Sequence, residues 1–197
     1  MKATDILMDE HRIIEQVLNC LEELAERCEA GEKLDNTSAL DALAFFRNFA
    51  DRCHHGKEES HLFPLLEARG FTRQGGPTGV MLHEHEEGRS LLAAMARAVE
   101  RSDPREFACH ARAYLGLLRE HIRKEDQCLF PMAAGILNVS EADALAQRFE
   151  QVENTEMGEG THEQYLQLAH DLADRLDVDR AKVTPACGHA RCHHHQP

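Results

Sequence analysis

The 197-residue chain has no apolar run long enough to span a membrane, no net positive charge, and no stretch of sustained strand-like alternation with hairpin turn signals. The first absence excludes a transmembrane helix. The second disfavours a nucleic acid or an anionic membrane as partner: 35 acidic residues against 22 basic ones leave a net charge of −13. The third leaves an all-α fold. The opening MKATDILMDEHR is acidic too early and lacks the apolar core of a secretory signal, so a cytoplasmic location is expected. Seven cysteines, an odd number at irregular spacing, argue against a disulfide framework and for reduced thiols. Nothing before residue 5 or after about residue 177 reads as an attached output domain, and a stand-alone protein is expected.

What is present is helical periodicity through nearly the whole chain. The spacing predicts helices over residues 5–29, from after Asp35–Ser38 to about 69, over 77–101, and from 104 to near 131. Two shorter ones follow at 140–153 and 160–177. Pro64 and Pro131, which lack a donor and crowd the preceding turn, are expected to end or bend their helices. Three segments result: 1–135 as a bundle, 136–180 as additional helices packed on it, and 181–197 as a flexible tail rich in Cys and His.

One pattern occurs twice. His-x-x-Lys-Glu-[Glu/Asp]-x-x-Leu-Phe-Pro spans 54–64 and again 121–131, pairing His54 with Glu58 and His121 with Glu125. Residues four apart share one stripe of a helix, so two such helices facing each other aim two imidazoles and two carboxylates at one interior point. The apolar stripes pick out further polar residues. Leu7, His11, Ile14, Leu18 and Leu21 form one stripe; Met81, His85, Gly88, Leu92 and Met95 form another and leave His83 and Glu84 toward solvent. The second helix gives Leu43, Phe46, Ala50, His54, Glu58, His61 and Leu65, and the fourth Phe107, Ala111, Tyr114, Leu118, His121, Glu125, Cys128 and Met132.

A single buried histidine is more often hydrogen-bonded core than a metal ligand. Four imidazoles and two carboxylates in one bundle change the balance, because each ionised group buried without a partner costs several kcal/mol that divalent cations remove. Mixed His and carboxylate donors suit iron, with zinc as a competing occupant. Such donors bind only when deprotonated, so metal affinity should fall below about pH 6 to 6.5.

The segments MDEHRIIEQVL, HHGKEESHLFPLLEARG, GVMLHEHEEGR and REHIRKEDQCLFPM, in this order, resemble the hemerythrin-like or HHE cation-binding domain over about residues 1–135. The resemblance implies an up-down four-helix bundle with an oxo- or hydroxo-bridged pair of iron ions. Carried over by position, it implies His11, His54, Glu58, His85, His121 and Glu125 as ligands, with Glu58 and Glu125 bridging. Two departures stand out. The oxygen-carrying hemerythrins place a second histidine four residues from the one at His85, where this chain has Met81. Their last carboxylate would select Asp126, whereas the internal repeat selects Glu125. The site therefore lacks one imidazole. His162, on a stripe with Tyr165, Ala169 and Leu172, is a candidate to complete it, although a packing role at the mouth of the core is the better reading. Glu159, His55, Glu59 and His61 are assigned to the surroundings of the ligands or to the surface. Cys53 and Cys128 are assigned to core filling. Cys187, His189, Cys192 and His193–His195 form a second metal-like feature, read as a solvated tail.

The functional expectation is a bacterial di-iron protein that binds or senses dioxygen, nitric oxide, iron or a related small oxidant. The alternatives are a redox enzyme consuming peroxide or nitric oxide, and a helical module whose metal is structural. The sequence names no protein partner.

Overall fold

A computed structural model describes residues 3–153 and 161–180 of the chain. It contains six helices and, among the described residues, no strand. Helix α1 is Ala3–Glu29. It ends at Gly31, whose φ of +91° is open to glycine without the steric penalty of a Cβ. Helix α2 covers 36–67 and begins where the Asp35 carboxylate accepts from the amides of Thr37 and Ser38. Helix α3 is Pro77–Glu100. Helix α4 covers 104–136; Asp103 caps it and Pro104 fills its first position, where a missing N–H goes unused. Helix α5 is Val139–Val152, started by a reciprocal cap between Asn138 and Glu141, and α6 is Thr161–Leu176.

The first four helices form an up-and-down bundle in which α1 packs on α2 and α4, and α3 on the same two. Helix α6 lies along α1 and α2, and α5 against α1. Gln16 donates to the Ala169 carbonyl at 2.7 Å and Arg175 to Asp41 at 2.8 Å, which tie α6 down. No helix of the described residues is long and apolar enough to cross a membrane. The five described cysteines, Cys20, Cys28, Cys53, Cys109 and Cys128, are free.

Neither proline ends its helix. Phe46–His55, Glu58–Leu62 and Glu125–Leu129 are π-helical, and the chain runs on through Pro64 and Pro131 into the short α-helical stretches Phe63–Glu67 and Phe130–Ile136. At both repeats the amide before the proline reaches back five residues, from Phe63 to the Glu58 carbonyl and from Phe130 to the Glu125 carbonyl. A widened turn absorbs the donor and the space that proline removes.

The widened turn also shifts the buried stripe by one residue. Beyond Glu58 the buried positions are Leu62, Phe63 and Leu66 rather than His61 and Leu65. Beyond Glu125 they are Leu129, Phe130 and Ala133, leaving Cys128 exposed and Met132 50% exposed. A period of 3.6 residues cannot anticipate that step.

Two apolar clusters result. The larger is built on Ile14, Leu18, Phe46, Met95, Phe107 and Tyr114; the smaller, at the other end, on Leu7, Phe63, Met81, Phe130 and Phe149. On each of the four bundle helices the polar residues singled out by the stripes lie between them. Phe46 is fully buried, its ring edge-on to Tyr114 at 5.0 Å between centroids. Phe46→Ala should cost about 3 to 5 kcal/mol of stability through lost transfer energy and the cavity left behind. Denaturant unfolding of the metal-free protein measures it, and a loss below about 1 kcal/mol would contradict this core.

Candidate metal centre

Seven buried ionisable side chains meet in the layer between the clusters. His55, Glu58, His85 and His121 each offer a donor atom, all within 4.8 Å of one another, and His11, His54 and Glu125 do the same beside them. The two groups adjoin: His11 and His54 lie 4.6 Å apart between ring centroids, and Glu125 reaches His11 Nε2 at 3.3 Å and His121 Nε2 at 3.2 Å. Glu58 places one oxygen 3.8 Å from His54 Nε2 and the other 3.5 Å from His85 Nε2.

Four of the imidazoles are held by one device. His11 is bound through Nδ1 to Asp126 at 2.7 Å, His54 to Glu10 at 2.9 Å, His85 to Glu59 at 2.7 Å and His121 to Glu84 at 2.9 Å. Each carboxylate is in turn paired with a cation: Arg12, Lys57, Arg89 and Lys124 respectively. A carboxylate on Nδ1 fixes the ring and turns Nε2 inward as the free donor, the arrangement of carboxylate–histidine–metal chains. The inward atoms are where a cation would bind. His11 Nε2, His54 Nε2 and both oxygens of Glu58 and of Glu125 are buried without a hydrogen-bond partner. Buried polar atoms are nearly always satisfied, and six such orphans facing one point fit a bound cation.

The structure redraws part of the sequence-based assignment. All six residues His11, His54, Glu58, His85, His121 and Glu125 converge, and Glu125 rather than Asp126 faces inward. Asp126 instead holds His11. His55 is not at the surface: it is buried, its ring stacked on His85 at 3.8 Å, and its imidazole lies within the group of Glu58, His85 and His121. Its neighbour His54 faces the same layer because this stretch of α2 is π-helical, a geometry invisible to helical-wheel spacing. Glu84, expected toward solvent, is only partly exposed because it binds His121 and Lys124, while His83 is exposed. Glu59 positions His85. Met81 is apolar core, and His61 is half-buried in neither group. His162 does not reach the inner groups; its Nε2 lies 3.7 Å from Glu10 on the outer side of His54. Glu159 and the tail residues Cys187, His189, Cys192 and His193–His195 lie outside the described residues.

Electrostatics of the metal-free layer follow from burial. Burial and the neighbouring Glu125 carboxylate push the Glu58 carboxyl well above its usual range. Burial also opposes ionisation of Glu125, yet His121 and His11 hold it well below that range. His85 is depressed to about 3 by burial and by His55, and burial likewise lowers His54 and His55. Burial opposes charge on His121 too, but the charge of the adjacent Glu125 carboxylate, with Glu84, lifts it to about 9.

Beside His55, His85 and His121 lies a cavity of about 10 Å³ bordered by Gly88, Leu92, Tyr114 and Arg89. It has room for one water-sized molecule.

Residues 2–133 match the family described as hemerythrin HHE cation binding domain. The uncharacterized protein Rv1995 of Mycobacterium tuberculosis is 26% identical over 191 residues, covering 93% of this chain and 74% of its own. The iron-sulfur cluster repair protein YtfE of Edwardsiella ictaluri is 39% identical over 90 residues, 42% of this chain and 41% of its own length. That of Dickeya chrysanthemi is 38% identical over 88 residues, 41% of this chain and 40% of its own. The chain thus spans about two fifths of the YtfE proteins it matches. No solved structure matches it.

A folded-state pKa raised above the unfolded one stabilises the protein below the unfolded value, and that stability is lost as pH climbs through the folded value. His121, ordinarily 6.5 and here about 9, and Glu58, also raised, therefore act in the same direction. The lowered groups His54, His55, His85 and Glu125 contribute no slope above their ordinary values. Metal-free protein should lose up to about 3 kcal/mol between pH 6.5 and 9 from His121 alone. Urea unfolding across that range measures it, and His121→Gln should flatten the slope.

Proposed function

The chain belongs to the hemerythrin HHE cation binding domain family, and we propose that it holds two iron ions in its central layer and binds dioxygen or a related small oxidant there. The single observation behind this reading is the set of six orphaned buried donor atoms on His11, His54, Glu58 and Glu125, flanked by the imidazoles of His55, His85 and His121. In this reading His11, His54 and Glu125 would hold one ion and His55, Glu58, His85 and His121 the other, with Glu58 and Glu125 each close to both groups. Imidazole and carboxylate donors suit iron, which when bound supplies a redox-active Lewis acid with positions left for a small exogenous ligand. Zinc competes for the same donors.

The chain's own side chains do the rest. Asp126, Glu10, Glu59 and Glu84 keep the four rings aimed and basic toward the metal. Leu92 and Tyr114 give the cavity beside His85 and His121 an apolar wall, while Arg89, tied to Asp51 at 2.8 Å and Glu59 at 2.6 Å, lines its polar side. A cavity of that size takes one water-sized ligand. The net charge of −13 speaks against a nucleic-acid or anionic-membrane partner.

A second reading is redox chemistry on peroxide or nitric oxide at the same pair. The similarity to YtfE, whose name assigns it to iron-sulfur cluster repair, favours considering it, although the match covers only two fifths of that protein. A purely structural metal fits less well, because a closed site has no use for a cavity at its edge.

Anaerobically purified protein should carry two irons per chain and develop a new visible absorption band on exposure to air. Glu58→Ala or Glu125→Ala should lower bound iron by about one equivalent or more, since a bridge serves both ions. His83→Ala should leave it unchanged. Full retention of two irons in both glutamate variants would refute the assignment.

Gly88 offers a separate probe of the cavity. A Cβ there would meet Tyr114 at 3.5 Å, an ordinary contact, so alanine fits. Gly88→Ala should retain two irons and gain up to about 1 kcal/mol of helix stability while slowing the air-induced spectral change. An unchanged rate would remove the cavity from the ligand's path.

A further inference from the structure

The four carboxylate-to-cation chains behind the imidazoles are not equivalent. Asp126, Glu59 and Glu84 keep 17, 27 and 14% of their side-chain surface, whereas Glu10 keeps 6% and its cation Lys57 none. The seal over the Glu10 chain comes from outside the four-helix bundle. Glu153, capping the C-terminal end of α5, accepts from Lys57 Nζ at 2.5 Å. Phe149 of α5 lies 5.9 Å from the same ammonium. His162, in the first turn of α6, brings Nε2 to 3.7 Å from Glu10 and sets its ring 5.2 Å from Phe49. Glu10, Glu153 and His162 converge as a cation-binding group would, but the Lys57 ammonium already sits among them. The group is therefore a clamp with its cation built in.

The clamp has a direction. Glu10 offers one oxygen to Lys57 and the other to His54 Nδ1, so whatever holds Lys57 also holds the His54 ring. On the opposite side of the layer, His55, His85 and His121 border the small cavity, and their supporting carboxylates meet solvent.

We propose that Glu153 and His162 are positioning residues: through Lys57 and Glu10, the two outer helices lock His54 so that the metal ion on the His11–His54–Glu125 side exchanges slowly, while the ion on the His55–His85–His121 side exchanges fast. The inference rests on the two-metal reading above. It gives α5 and α6 a role at the site without a ligand from either.

The test uses the full chain loaded with cobalt(II) alone and followed by its visible ligand-field absorption during removal by excess EDTA. Two equivalents leaving in two resolved phases are expected. Glu153→Ala and His162→Ala alter half-buried side chains on the outer helices. Each should speed the slow phase by about tenfold, the lower end of the effect of removing an outer partner of a ligand, here the Glu153 hydrogen bond to Lys57 or the His162 contact with Glu10, and shift the spectrum of that ion. The fast phase should keep its rate and spectrum. Glu153→Gln, which still accepts from Lys57, should restore most of the slow rate. An unchanged slow phase in both alanine variants would overturn the inference, as would equal acceleration of both phases with a lowered thermal midpoint. A single release phase for two cobalt ions in the unaltered protein would overturn it and leave the two-metal reading standing. Fewer than two cobalt ions per chain would overturn both.

Discussion

Everything in this fold accommodates the burial of ionisable groups at its centre. Three carboxylates and a lysine, Glu10, Glu58, Glu125 and Lys57, are withdrawn from water together with five imidazoles. In an apolar interior each unpaired charge would cost several kcal/mol. The bundle meets that cost from the outside inward. Every ring of the four-histidine set is backed by a carboxylate, and every carboxylate by a cation on the surface or, for Glu10, beneath two extra helices. The inward atoms of His11, His54, Glu58 and Glu125 are left unsatisfied, and they face the interior of the layer. Two apolar clusters above and below hold the layer in register.

The π-helical turns connect local sequence to that layer. Each repeat ends in Leu-Phe-Pro, and in each the amide before proline bonds five residues back to the glutamate of the inner set. The widened turn leaves Glu58 and Glu125 facing inward and then moves the apolar stripe one step, so that Leu62 and Leu129 close the smaller cluster. Widened turns of this kind are frequent at functional sites, and here proline, carboxylate and core share one geometric cause. The longer π-helical stretch Phe46–His55 brings two consecutive histidines to the same layer.

Much of this was legible in the residues. The all-α class, the helix spans and the six inward residues followed from period, caps and an eleven-residue repeat. Three features did not. His55 was placed only around the ligands or at the surface, because a 3.6-residue wheel sends neighbours of a ligand 100° away. Glu84 looked exposed because its wheel face is polar, yet it reaches across to the ring of His121 on α4. Leu65, Cys128 and Met132 were placed one position from the true stripe for the same reason as His55.

The sequence by itself determined that two His-x-x-x-Glu pairs and one His on each remaining bundle helix would share one interior, because helical spacing and hydrophobicity are local properties. Only the tertiary structure decided which carboxylate backs which ring, that His55 joins the inner set, and that α5 and α6 bury the Glu10–Lys57 pair. Those outcomes depend on contacts between residues 26 to 152 positions apart, such as His85 with Glu59 and His162 with Glu10. They depend equally on a change of helical pitch that no single-residue preference encodes.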